Sequence, residues 1–219
     1  MVVPVWGSLV GKAGMAVILR EPPSPSAAST YADAFRVHGR QLLTSIPLTL
    51  RAGAPADAAT IAALAIQVFL DTYATDGVRP DLAREALREY AAEAFEARLR
   101  EQQRRFVLAE RGTALLGFAE LTLANDAAPA AAATGAELIR LYVQPAAQGA
   151  GLGRRLIRAS EALAAEAGLA ALWLTAWEGN QRALTFYARE GYADIGATSY
   201  SFEGNSYGNR VLVRELTPS

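Results

Sequence analysis

The sequence predicts an α/β (α+β) fold, with one mixed, mostly antiparallel twisted sheet of about seven strands flanked by about four helices. Three observations support this. Short strand-like runs are separated by turn residues such as Arg111-Gly112-Thr113 and Glu203-Gly204-Asn205-Ser206, the punctuation that antiparallel neighbours need. Other stretches repeat apolar residues at helical spacing. One apolar run, Leu138 to Val143, passes through a glycine-rich turn directly into an amphipathic helix from Leu152 to Ala167.

Taken in order, residues 1–46 read as an N-terminal extension ahead of a single domain at 47–219. The extension contains Pro22-Pro23-Ser24-Pro25-Ser26 and keeps no period of two or 3.6. Three readings of it stand open: partial disorder, packing over the main domain, or a start assigned upstream of Met15. Leu9 to Leu19 is broken by Gly11, Lys12 and Gly14, is too short to span a membrane and lacks a basic leader. A cytoplasmic protein is the expectation.

Leu48 to Arg51 reads as a strand, and Asp57 as the N-cap of a helix reaching Tyr73, whose face is Ile61, Leu64, Ala65, Val68 and Phe69. Pro80 suits the first turn of a second helix marked by Leu82, Leu87, Tyr90, Ala94, Phe95 and Leu99. Arg105 to Glu110 and Leu115 to Leu123 form a hairpin, and the alanine-rich stretch Asn125 to Ala136 reads as a loop. After the central helix, Gly168 sits where a C-cap is expected. A buried strand, Ala171 to Ala176, then leads to a helix opened by Gly179-Asn180 and closed by Gly191, and Tyr192 to Phe202 and Asn209 to Leu216 are the last two strands.

Composition excludes several classes of function. Lys and Arg number 21 against 22 Asp and Glu, a net charge of −1, so neither nucleic acid nor an anionic membrane is the expected partner. With no cysteine there is no thiol nucleophile and no thiolate metal site, and the sole histidine, His38, lies in the irregular extension. No metal is expected.

The chemistry concentrates in Gln148-Gly149-Ala150-Gly151-Leu152-Gly153-Arg154. Glycines let the backbone approach a ligand closely, and the free N–H groups at a helix start attract anions. The spacing does not suit the dinucleotide fingerprint, because several antiparallel-looking strands precede it. Nor does it suit the Walker loop, because Gly153 is followed by Arg154-Arg155 rather than Lys and Ser or Thr. It does fit Q/R-x-x-G-x-G/A. Downstream, Asn180, Ala183, Phe186-Tyr187 and Gly191-Tyr192 fit N-x-x-A-x-x-F-Y…G-[FY], with Asn180, Ala183 and Tyr187 on one helical face.

On these two motifs the chain, from about Leu48 to Leu216, resembles the GNAT superfamily of N-acetyltransferases. The segment from Trp173 to Asn180, with Phe69 to Tyr73 and Gly196 to Tyr200, looks most like bacterial spermidine/spermine acetyltransferases of the PaiA type. The resemblance implies acetyl-CoA as co-substrate. Its pyrophosphate would sit in the turn from Gln148 to Arg154, its pantetheine along Leu141, Tyr142 and Val143, and Asn180 and Tyr187 would face it. It also implies a general-acid role for Tyr187, an amine substrate and direct attack in a ternary complex. Glu137, at the start of the central strand, is the first candidate base, acting through water about 13 Å from Leu141 along an extended strand. Glu120 is the second. A backbone N–H near Leu141 or Tyr142 would stabilise the oxyanion if the strand parts from its neighbour there. A regulatory acyl-CoA-binding module is the alternative, and exposed tail strands leave room for a homodimer.

Overall fold

The computed structural model describes residues 46–123, 135–202 and 205–217. The extension through residue 45, His38, most of the alanine-rich stretch and the turn at 203–204 lie outside them. Among the described residues seven strands form one sheet in the order β1-β2-β3-β4-β5-β7-β6. They are β1 (Leu48–Ala52), β2 (Arg104–Arg111), β3 (Ala114–Thr122), β4 (Gly135–Val143), β5 (Ala171–Trp177), β6 (Ala193–Phe202) and β7 (Asn205–Glu215). Every neighbouring pair is antiparallel except β4 with β5, as the mixed, mostly antiparallel prediction requires.

Among the described residues five α-helices cover the sheet: α1 (Ala58–Tyr73), α2 (Pro80–Glu89), α3 (Ala92–Arg100), α4 (Leu152–Glu166) and α5 (Gln181–Arg189). The second predicted helix is thus two. At about 100° per residue, a continuous helix would place Phe95 about 140° round from Leu82. The chain instead breaks at Tyr90 and the extended Ala91, so that Leu82, Tyr90 and Phe95 all enter one core while Leu87 stays exposed. Asp57 does stand at the N-cap of α1, yet its side chain makes no cap bond to that helix. It accepts from the Ala54 N–H at 2.8 Å and pairs with Arg51.

Strand limits also move. β4 begins at Gly135, so Glu137 is its third residue rather than its first, and β7 begins at Asn205 rather than Asn209. Tyr192 precedes β6. Gly168 terminates α4 with φ +78, a left-handed conformation that favours glycine, in the place expected of it.

The sheet separates two cores. On the front, α1, α2 and α3 pack against Phe106, Leu108, Phe118 and Tyr142. On the back, α4 and α5 pack against Leu138, Leu141, Val143, Leu172 and Leu174. Residues two apart on a strand share a face, so adjacent Leu141 and Tyr142 serve opposite cores.

Candidate active site

The parallel contact between β4 and β5 lasts for three rungs only: Gly135↔Ala171, Ala136↔Leu172 and Glu137↔Trp173. On its other side β4 stays paired with β3 as far as Gly117↔Val143. Leu138 to Val143 therefore have a paired strand on one side and a gap in the ladder on the other. Two local features accompany the divergence. The register slips between Glu120↔Arg140 and Leu121↔Leu138, which makes Ile139 an extra residue that bends β4. Gly117 allows a close approach, since a Cβ there would stand 2.7 Å from the Tyr142 carbonyl oxygen.

Alternation of backbone groups decides what faces the gap. The Gln144 N–H donates to the Leu116 carbonyl at 2.8 Å, toward β3. Counting back, the N–H and C=O of Tyr142 also turn toward β3, and those of Val143 and Leu141 turn toward the gap. Of the three strand residues expected to meet the cofactor, Leu141 and Val143 present backbone to the open side. Tyr142 does not. Of the two candidate oxyanion donors, Leu141 is the one with its N–H turned outward.

The glycine turn stands at the Val143 end of this gap. Gln148 Nε2 donates to the Val143 carbonyl at 3.0 Å, fixing the turn to the strand end. Gly149 and Gly151 have φ +81 and +75, and a Cβ on either would meet open space within 4 Å. Ala150 between them is exposed, and Leu152, by contrast, is buried and anchors the helix. α4 starts with no side chain capping its first N–H groups. Gly153 has an ordinary backbone, and a Cβ on it would lie in normal contact with the Phe186 ring at 3.5 Å. The cleft here, about 640 Å3, is lined by the turn, by Val143, and by Arg182, Phe186 and Arg189 of α5. Open space at two left-handed glycines and an uncapped helix start fit a phosphate-bearing ligand.

Arg154, predicted to meet that ligand, leaves 65% of its side chain exposed while its Nε donates to Glu190 at 2.8 Å. Glu190 is buried and also accepts from Arg158 at 3.0 Å, so one carboxylate joins α4 to the end of α5. Sequence reasoning missed Glu190. The signal was present, because a carboxylate at a helix C-terminus opposes the helix dipole and needs a cationic partner.

On α5, Asn180 caps the helix by accepting from the Ala183 N–H at 3.0 Å. Ala183 and Tyr187 are fully buried in the same back core as Leu141 and Val143. The Tyr187 hydroxyl has no hydrogen-bond partner among the described residues, although its ring packs against Phe186 and Tyr192 at centroid distances of 5.3 and 5.5 Å. Burial raises its pKa well above that of an ordinary phenol, with Tyr192 adding to the effect. At neutral pH it keeps its proton.

The two carboxylate candidates differ sharply. Glu137 is 5% exposed and occupies the last paired rung before the gap. Glu120 is fully buried and accepts from Arg104 at 2.6 Å and from Arg140. Burial opposes its charge, yet the guanidinium groups of Arg140 and Arg104 outweigh burial and hold its carboxyl below the usual range. Both of its oxygens are occupied by guanidinium groups, so Glu120 is a structural anion. Among the described residues no group of three or more His, Cys, Asp or Glu is placed to hold a metal, and no helix is long and apolar enough to cross a membrane.

Comparison with known proteins agrees with this geometry. The sequence is 30% identical over 122 residues to an uncharacterized N-acetyltransferase of Mycobacterium tuberculosis, covering 56% of this chain and 74% of that one. The fold is similar to that of the PaiA N-acetyltransferase of Thermoplasma acidophilum, solved in complex with coenzyme A. The TM-score is 0.65 at 20% identity, over 78% of this chain and 99% of that one. It is also similar to a GCN5-related N-acetyltransferase of Rhodopseudomonas palustris, with a TM-score of 0.58 at 26% identity, over 77% and 95% of the two chains. Residues 70–192, which include the parted strand, the glycine turn and α5, match the acetyltransferase (GNAT) family, and the chain belongs to that family.

Proposed function

We propose that this acyltransferase moves an acetyl group from acetyl-CoA to a primary amine by direct attack in a ternary complex. The observation that carries the reading is the parting of β4 from β5 beyond Glu137↔Trp173, with the Gly149–Gly151 turn at its open end. The resemblance to the Thermoplasma enzyme, whose structure holds coenzyme A, supports the same donor here. Acetyl-CoA supplies an activated thioester. Gly149, Ala150 and Gly151, with the uncapped N–H groups from Leu152, Gly153 and Arg154, hold its phosphates, and Gln148 fixes that turn. Leu141 and Val143 offer backbone groups along the gap.

Each chemical need then has a residue. The Leu141 N–H donates to the thioester oxygen as that oxygen gains negative charge. Glu137 takes the proton of the attacking ammonium through water, because alkyl amines ionise near about pH 10 and require deprotonation first. Tyr187 gives a proton to the leaving sulfur. A phenol is a weaker acid than a thiol, and burial weakens it further, so transfer depends on placement rather than on acidity. Asn180 keeps the start of α5, and thus Tyr187, in register. No cysteine exists to carry the acetyl group.

Thiol release from acetyl-CoA, measured over amines, polyamines and peptide N-termini, tests the proposal. Turnover with at least one amine is the expected result, and calorimetric binding of acetyl-CoA with no turnover on any would refute it. Tyr187→Phe should lower kcat by about 100-fold or more with little change in the KM for acetyl-CoA. Unchanged kcat would remove Tyr187 from the acid role.

A further inference from the structure

The front of the gap has its own chemistry. From the last rung, Glu137↔Trp173, the bulge at Ile139 uses up one residue, so Arg140 comes level with Thr175 and Tyr142 with Trp177. Both Tyr142 and Trp177 point to the front. Tyr142 belongs to the core beneath α1 to α3, and the Trp177 ring meets Tyr73, the last residue of α1, at 5.7 Å. Gly179 lets the Trp177 ring fold back, since a Cβ there would stand 2.4 Å from it.

Around this opening three phenols from different elements converge. The hydroxyls of Tyr90 and Tyr142 are 3.0 Å apart, and Tyr73 feels both of them electrostatically. Burial raises all three pKa values, so these groups are neutral hydrogen-bonding surfaces at any physiological pH. Next to Trp177 in the sheet, Asn209 of β7 is its direct partner. Directly opposed residues share a face, so the Asn209 side chain also points to the front. It is 1% exposed, and its Oδ1 has no hydrogen-bond partner among the described residues. A buried amide oxygen without a donor is costly. The carboxylates on this face that touch Arg140, Glu89 and Glu120, are both bound by it.

Resting on the transferase reading above, we infer that this front opening takes the acceptor, and that the acceptor is a monoamine on a flat apolar body with one hydrogen-bond donor. The body lies between Tyr142 and Trp177 under Tyr73, its donor reaches Asn209 Oδ1, and its amine points to the Leu141 level of the gap. A polyamine fits poorly, because around Tyr73, Tyr90 and Tyr142 its further ammonium groups would meet neutral phenols, and the nearby Glu89 and Glu120 are already held by Arg140.

The test uses the full chain with tyramine, phenethylamine and spermidine, measuring kcat/KM for each. Both aryl amines should exceed spermidine by about tenfold or more, and tyramine should exceed phenethylamine by about tenfold through its hydroxyl donor. Asn209→Ala should abolish the tyramine advantage while leaving the KM for acetyl-CoA unchanged. Tyr73→Ala should raise the KM of both aryl amines, and Tyr73→Phe should restore it. Spermidine as the best substrate, or an equal loss for both aryl amines in Asn209→Ala, would overturn the inference. Turnover with peptide amines alone would overturn it too and leave the transferase reading standing; no turnover with any amine would sink both.

Discussion

Gly149, Gly151 and Gly153 look equivalent in the sequence, and the structure divides them. Two need a left-handed backbone, and the third sits in helical conformation beside Phe186. Gly151→Val adds a β-branched side chain at φ +75, where such residues are strained, and puts it into the space proposed for phosphate. Calorimetry should show acetyl-CoA affinity falling by at least about 100-fold, equivalent to about 2.7 kcal/mol, and Gly153→Ala should bind nearly as the parent does. At this scale the sequence located the residues and hid their directions. Asn180, Ala183 and Tyr187 could be put on one helical face by counting, because a helix has a fixed period. That Tyr142 turns its backbone toward β3 could not be counted, because it depends on the hydrogen bond from Gln144 to Leu116. Asn209 read only as the start of a strand, and its burial follows from pairing with Trp177.

Among elements, the joints between helices and strands are made by buried charge. Glu120 of β3 binds Arg104 of β2 and Arg140 of β4, and Arg140 continues to Glu89 at the end of α2. Glu120→Gln would leave two buried guanidinium groups short of a counter-charge, with Glu89 and Glu101 as remaining partners. A loss of about 3 kcal/mol is expected in urea unfolding at pH 7. Because the folded pKa of Glu120 is lowered, its contribution is complete above the ordinary carboxylate value of about 4.3 and is lost as pH falls through the folded value. The gap between parent and variant should therefore shrink in acid. Little of this was legible, since an isolated Glu in a strand-like run carries no sign of its cross-strand partners. The break between α2 and α3 was legible in principle. Leu82 and Phe95 lie on opposite sides of any single helix that contains both.

For the whole molecule, four buried phenols among the described residues, Tyr90, Tyr142, Tyr187 and Tyr192, and the half-buried Tyr73 have pKa values raised above the ordinary value by loss of solvent. The unfolded chain releases these protons near about pH 10, while the folded chain keeps them. Stability is thus complete below about pH 10 and falls above it. Thermal unfolding followed by circular dichroism should show a Tm level from pH 7 to 9 and dropping steeply beyond 10, together with the phenolate absorbance at unfolding. The order of strands and helices was largely legible, because amphipathic periods and glycine turns are local. Sheet order was not, since the placing of β7 between β5 and β6 is a long-range choice among strands of similar composition. The three-rung junction between β4 and β5 has one more consequence. An outer strand edge is open to any passing chain, whereas this edge lies inside the sheet and begins where the ladder ends at Glu137. Under the transferase reading it would admit a slim, extended, amide-bearing ligand and turn away a peptide strand with side chains on both faces, so a strand edge at the centre of the molecule need not invite aggregation.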